Sequence, residues 1–130
     1  SNFIKNNKIE FCSSVEELVK EIDILILTIP LNEKTRGLIN KKTIGFTKRK
    51  LIIVNTSRAD IIDQRDLIEM LEKNLIKSYL TDVMSVEPME KDNILRTFSN
   101  VIITPHIGSR TFESVERQGE AAVKNLIENI

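Results

Sequence analysis

The 130-residue sequence has one histidine, His106, and its surroundings decide whether it does chemistry. An isolated histidine is more often a structural or surface residue than a proton donor. His106 stands in the segment TPHIGSRT, two residues after an apolar run that predicts a strand. Arg58 and Glu87 stand three and four residues after the predicted strands that precede them.

Ligands of open α/β sheets bind beyond the carboxyl ends of the strands, and consecutive parallel strands are usually neighbours. We therefore expect the loops of Arg58, Glu87 and His106 to meet at one edge of a sheet. A carboxylate beside an imidazole favours its protonated form, and an arginine fork holds a carboxylate through two hydrogen bonds. The combination predicts a site that binds a 2-oxo acid and protonates its carbonyl. Taken alone, Arg58 is better explained as a residue that satisfies helix carbonyls, and Glu87 as a solvated loop residue.

The elements that must position these side chains alternate between short apolar runs and segments of helical period, which is typical of βαβ units. Residues 24–28 are apolar at every position except the last, which predicts a parallel strand that is covered on both faces. The full set of predicted strands is 8–11, 24–28, 51–55, 77–83 and 100–104.

Helix boundaries follow from capping residues and apolar spacing. The first helix begins at Ser13 or Ser14, with Glu16 or Glu17 completing a capping box, and a short helix is predicted around residues 40–46. Asp63 caps a helix that points Leu67, Met70 and Leu71 inward, and Thr111 caps the last helix. Gly119 inside the last helix predicts a close packing contact, because glycine there costs about 1 kcal/mol relative to alanine.

Composition excludes several classes of function. Lys plus Arg and Asp plus Glu both number 19, so no net charge favours nucleic acid or an anionic membrane. A single cysteine, Cys12, can form neither an internal disulfide nor a metal cluster, so no metal site is expected. No apolar run reaches the ~20 residues of a membrane span. The sequence predicts a soluble, cytoplasmic protein.

Four segments resemble successive blocks of one family: ILTIPLNEKTRGLIN, IIVNTSRADIIDQRDLIEML, LTDVMSVEP and NVIITPHIGSRT. They are similar, in order and spacing, to the second half of the NAD(P)-binding domain of the D-isomer-specific 2-hydroxyacid dehydrogenases. This family includes phosphoglycerate, glycerate, glyoxylate and D-lactate dehydrogenases, and the resemblance covers about residues 9–125. It implies an α/β fold, a partial Rossmann-type doubly wound parallel sheet without its first two strands and glycine-rich turn.

The resemblance also implies roles for individual residues. Arg58 would bind the substrate carboxylate and carbonyl, His106 would exchange the proton at the substrate oxygen, and Glu87 would keep His106 protonated. The related formate dehydrogenases resemble this pattern with glutamine in place of Glu87, and the family usually has glycine where this chain has Ala59. The residues implied to contact NAD or NADP are Ile29 and Pro30 at the adenosine side, Thr56 and Arg58 near the nicotinamide, Asp82 at its carboxamide, and His106, Gly108 and Ser109 along its ring.

The family's glycine-rich turn has no counterpart here, since the chain has four glycines and none of them forms a G-x-G-x-x-G pattern. The apolar strand at 24–28 is also typical of the middle of a sheet, but the sequence supplies no further strand for its other side. We therefore expect residues 1–130 to be the C-terminal portion of an NAD(P)-binding domain, with the glycine-rich half and the substrate domain absent. By itself this portion is expected to be inactive and to bind cofactor weakly, because half of the pyrophosphate cradle is missing.

For the parent enzyme the resemblance implies reversible hydride transfer between nicotinamide and a small 2-oxo or 2-hydroxy acid, in a homodimer. Two alternatives remain. A non-catalytic NAD(P)-sensing or corepressor-type module on the same scaffold would bind cofactor without turnover. A different doubly wound domain, such as a receiver or a methyltransferase, would share the βα alternation but lack the ordered blocks.

Overall fold

A computed structural model describes residues 9–129, which form a parallel sheet with helices. No helix within these residues is both long and apolar enough to cross a membrane. The strands are β1 (Ile24–Leu27), β2 (Ile52–Asn55), β3 (Ser78–Thr81) and β4 (Val101–Ile103). The helices are α1 (Val15–Glu21), α2 (Lys41–Ile44), α3 (Gln64–Glu72) and α4 (Phe112–Glu128), with short 3-10 helices at Ala59–Ile61 and Ile94–Thr97.

The sheet has the order β1-β2-β3-β4, and every pair is parallel. Its last row joins Leu27, Asn55, Thr81 and Ile103 side by side, so the four strands end at one level. The loops that follow them therefore leave the same edge of the sheet. This confirms the predicted α/β class and the expectation that consecutive strands are neighbours.

The hydrophobic core lies on one face of the sheet. Leu25, Ile53 and Tyr79 point from adjacent strands into this face and are buried. Val19 of α1 packs in the same core. The predicted inward residues of α3 are confirmed, since the helix buries its apolar stripe, Leu67, Met70 and Leu71.

The opposite face of the sheet is largely bare. Ile24, Ile26 and Ile102 expose 53%, 61% and 57% of their surface, so the prediction that residues 24–28 are covered on both faces is wrong for this structure. Right-handed connections between strands that are added in one direction all lie on one face of a sheet. The helices that link β1 to β4 therefore leave the other face without a covering layer.

Two further expectations are wrong. Residues 9–11 form no strand, and Phe11 is 84% exposed; Lys8, the first residue of that predicted strand, lies outside the described residues. A strand needs a neighbour for its backbone hydrogen bonds, and none stands beside this segment in the described part of the chain. Beyond its own helix backbone, Gly119 has no described atom within 4 Å of the position that a Cβ would take, so the predicted close packing contact is not made; no side chain of α4 is buried.

The predicted N-caps of α1, α3 and α4 are confirmed, but the predicted capping box is not, because the Glu17 carboxylate accepts from the amide and hydroxyl of Ser13 and not from the Ser14 amide. Ser14 rather than Ser13 caps α1 by accepting a hydrogen bond from the Glu17 amide, and Asp63 accepts from the first amides of α3. Thr111 accepts from the amide of Ser114 at the start of α4. These side chains satisfy amides that have no partner within their helix, so the sequence correctly sets where the helices begin.

Leu67→Ala should lower the free energy of unfolding by about 2–5 kcal/mol, because it empties a fully buried position under the sheet. Leu75→Ala is the matched control, since Leu75 is 42% exposed and should change the free energy by less than about 1 kcal/mol. Urea denaturation of both variants measures the difference. Equal losses would show that α3 does not close the core.

Candidate active site

Glu87 and His106 meet across two loops at the carboxyl edge of the sheet. Glu87 Oε2 lies 3.1 Å from His106 Nδ1, and Glu87 Oε1 accepts a hydrogen bond of 2.9 Å from the Met84 amide. The Met84 amide is the main reason that the pKa of Glu87 is lowered, the hydrogen bond to His106 is the second, and the charge of Arg58 adds to them. The site thus holds an ionised carboxylate against one nitrogen of the imidazole.

Arg58 lies near this pair without touching it. Its guanidinium donates a hydrogen bond of 2.6 Å to the carbonyl of the preceding residue, Ser57. The side chain is exposed, and its positive charge is close enough to lower the pKa of Glu87. The structure therefore brings Glu87 and His106 into contact and leaves the Arg58 guanidinium beside them, with donors that remain open to a ligand.

Asn55, which the sequence analysis did not single out, holds the Arg58 loop from inside the sheet. It is fully buried at the end of β2, where its amide donates to the Arg58 carbonyl (3.0 Å) and its Oδ1 accepts from the Ser57 amide (3.1 Å). Thr81 Oγ1 lies 3.0 Å from the Asn55 carbonyl oxygen. The signal in the sequence is the polar last residue of the run LIIVN, since a buried asparagine must have partners.

Ala59 fits the loop in an ordinary backbone conformation. It is the first residue of the 3-10 helix Ala59–Ile61 and is 95% buried, with a relative exposure of 5%. Within residues 9–129 the non-glycine residue with positive φ is Asn74, not Ala59. Alanine therefore occupies this position without backbone strain.

A cavity of about 910 Å³ opens beside the Glu87–His106 pair. Asp82, at the end of β3, lines it, and within the described residues its buried Oδ1 has no hydrogen-bond partner. Gly108 is adjacent, since a Cβ there would lie 3.8 Å from Asp82 Oδ2. A buried carboxylate oxygen without a partner is unfavourable. The position therefore suits a ligand that brings an N–H donor, such as the carboxamide of nicotinamide.

The remaining residues implied to contact cofactor divide between two cavities. Pro30, Thr56 and Arg58 line a second cavity, of about 430 Å³, beyond β1 and β2. Ile29 stands at its side, and the Ser57 hydroxyl donates to the Ile29 carbonyl and so ties these two loops together. Ser109 lines the larger cavity with Asp82 and His106. All these residues lie at the carboxyl edge of the sheet, where a dinucleotide binds in doubly wound domains.

The parallel sheet in sequential order carries at its carboxyl edge a carboxylate–imidazole pair and an aspartate oxygen that has no partner within residues 9–129, an arrangement typical of nucleotide-binding α/β domains. Residues 2–108 match the model of the D-isomer specific 2-hydroxyacid dehydrogenase, NAD binding domain. The chain belongs to this family.

Relatives and solved structures agree with this assignment. The chain is 40% identical over 121 residues to a hydroxypyruvate reductase of Blautia hydrogenotrophica, covering 92% of this chain and 38% of the relative. It is 37% identical over 113 residues to a glyoxylate reductase of Pyrococcus furiosus, covering 87% and 33%. The apo D-mandelate dehydrogenase of Rhodotorula graminis superposes with a TM-score of 0.87 at 28% identity, over 97% of this chain and 36% of that one. The chain thus spans about a third of the length of the relatives it matches.

The pKa of Glu87 should be measurably lower in the folded chain than its ordinary value of 4.5. A lowered pKa means that the carboxylate stabilises the fold above pH 4.5 and that this contribution disappears as the pH falls through the folded pKa. Carbon NMR of labelled glutamate, assigned with Glu87→Gln, measures it. His106→Gln should raise the pKa only in part, because the Met84 amide is the larger cause. A Glu87 pKa at or above the ordinary value would contradict the geometry.

Proposed function

We propose that this chain is the C-terminal portion of the NAD(P)-binding domain of a D-2-hydroxyacid dehydrogenase. The complete protein would transfer a hydride between nicotinamide and a small 2-oxo or 2-hydroxy acid. The observation that carries the proposal is the contact between Glu87 Oε2 and His106 Nδ1 at the carboxyl edge of the sheet, with Arg58 beside it. A module that only senses cofactor has no use for a proton donor.

Each of the three side chains has a chemical task in this reaction. Arg58 binds the substrate carboxylate, because its guanidinium offers paired donors and a fixed charge. Glu87 occupies Nδ1 of His106, so Nε2 is the atom that gives a proton to the carbonyl oxygen during reduction and takes it from the hydroxyl during oxidation. NAD(P), when bound, supplies or accepts the hydride.

The cofactor site in this proposal uses the residues at both cavities. Asp82 would accept a hydrogen bond from the carboxamide, and Gly108, Ser109 and His106 would hold the nicotinamide ring. Ile29 and Pro30 would lie at the adenosine side, and Thr56 would lie near the nicotinamide with Arg58. The glycine-rich cradle and the substrate domain would come from outside residues 1–130, so this chain alone should bind cofactor weakly and show no turnover.

The proposal includes a homodimer and a cytoplasmic location. The resemblance to the family supports the homodimer, and the single cysteine, Cys12, is in keeping with a reducing compartment. Sedimentation of the complete protein measures its oligomeric state, and fractionation of its host cells measures its location.

His106→Gln in the complete protein should lower kcat for glyoxylate or hydroxypyruvate reduction by about 10²–10⁴-fold, because it removes the proton donor. The Kd for NADH should stay the same. Glu72→Gln, at the exposed end of α3, is the control and should leave both unchanged. Turnover that survives His106→Gln would refute the assigned role. Cofactor binding by the wild type without turnover of any 2-oxo acid would favour the sensing module.

Asp82→Ala should weaken NADH binding by about tenfold to a hundredfold, the range expected when a hydrogen bond to a charged group is lost. The affinity for ADP-ribose should not change, because that molecule lacks the carboxamide. The free energy of unfolding should not fall either, since Asp82 Oδ1 has no partner to lose among the described residues. Asp92→Ala, in the exposed loop before β4, is the control. Equal losses of NADH and ADP-ribose affinity would place Asp82 away from the carboxamide.

A further inference from the structure

One side chain, Asp60, connects the loops that follow β1, β2 and β3. Its Oδ2 accepts a hydrogen bond from the Arg36 guanidinium at 2.5 Å, and its Oδ1 accepts from the Ser85 hydroxyl at 3.1 Å. Its backbone carbonyl accepts from the Gly37 amide at 2.9 Å. Arg36 and Gly37 belong to the loop after β1, and Ser85 belongs to the loop after β3.

Both ends of the Asp60–Ser85 hydrogen bond are close in sequence to the candidate active-site residues. Asp60 lies two residues after Arg58, inside the 3-10 helix Ala59–Ile61. Ser85 lies two residues before Glu87 and directly follows Met84, whose amide holds the Glu87 carboxylate. A movement of the Asp60–Ser85 contact is therefore passed on to Arg58 through one chain segment and to Glu87 through the other.

The Glu87 loop has few other attachments of this kind. Within the described residues, the side-chain hydrogen bonds that tie residues 84–89 to other loops are Ser85 to Asp60 and Glu87 to His106. The Met84 amide bond is internal to the loop. Met84 and Met89 also pack against the core, so the Asp60–Ser85 bond is the side-chain hydrogen bond that holds this loop independently of His106.

The exposure of these groups argues for a role in geometry more than in stability. The side chains of Asp60 and Arg36 are 35% and 60% exposed, and exposed ion pairs add little to the free energy of folding. Small displacements of reacting groups, in contrast, have large effects on catalytic rates. We infer that Asp60 is a positioning residue, which acts through Ser85 to keep Glu87 against His106 and in register with Arg58. This inference rests on the proposed function.

The test compares Ser85→Ala and Asp60→Ala with the conservative Ser85→Thr in the complete protein. Loss of the hydroxyl or the carboxylate should lower kcat for the 2-oxo acid by about tenfold to a hundredfold, while the Kd for NADH stays constant. Ser85→Thr retains the hydroxyl and should restore most of kcat. The double variant should be no worse than Asp60→Ala, because the two residues act through one contact.

Asp23→Ala is the matched control, since it removes a carboxylate that pairs with Arg49 at the opposite end of the sheet. It should leave kcat unchanged. Ser85 is exposed, so its variants should keep the wild-type midpoint in urea. The inference would be overturned if kcat fell in proportion to the urea unfolding midpoint. It would also be overturned if Ser85→Thr were as slow as Ser85→Ala.

A spectroscopic measurement on the 130-residue chain separates this inference from the proposed function. His106 is its one histidine, so the imidazole ring gives a single pair of NMR signals. At fixed pH, Ser85→Ala and Asp60→Ala should move the chemical shifts of these signals toward those of Glu87→Gln. Ser85→Thr should have chemical shifts close to those of the wild type. If the complete protein reduces no 2-oxo acid, the proposed function fails while these shifts still support the positioning role. Unchanged ring signals in both variants would reject the positioning role even in an active enzyme.

Discussion

The in-register pairing of four parallel strands is the constraint on which the rest of this structure depends. The last residues of the four strands pair side by side in one row: Leu27, Asn55, Thr81 and Ile103. The loops that follow the strands therefore all begin at the same edge of the sheet. Arg58, Glu87 and His106 come from positions up to 48 residues apart in sequence, and a shift of one strand by a single residue would separate them. The chemistry of the site is therefore set first by backbone hydrogen bonds and only then by side chains.

Buried polar groups at the end of that row divide into two kinds. Asn55 and Thr81 are buried, and their hydrogen bonds fix the backbone of the Arg58 loop to the sheet. Asp82 follows Thr81 directly, yet its buried Oδ1 has no partner in the described part of the chain. Satisfied groups of the first kind make the edge rigid, whereas the unsatisfied oxygen is open to a ligand donor. A rigid support beside an open acceptor is what a cofactor site requires.

Much of this arrangement was predictable from the sequence. Apolar runs located β1 to β4, and Asp63 and Thr111 marked helix starts. The position of Glu87 and His106 after predicted strands was enough to expect their meeting. The hydrogen bond between Asp60 and Ser85 was not predictable, because it joins residues 25 apart through two irregular loops. Neither was the orientation of Arg58, whose guanidinium turns back to the Ser57 carbonyl.

The sequence by itself determined what depends on near neighbours along the chain: strand and helix positions, the capping residues, and the residue types available for acid–base chemistry. Only the tertiary structure decided which surfaces are covered. Residues 24–27 are apolar on both faces of the strand, but the sequential strand order leaves Ile24 and Ile26 exposed. Residues 9–11 form no strand, because no neighbour pairs with them in the described part of the chain. The physical reason is that burial and hydrogen bonding between distant segments depend on how the layers stack, which local sequence patterns do not encode.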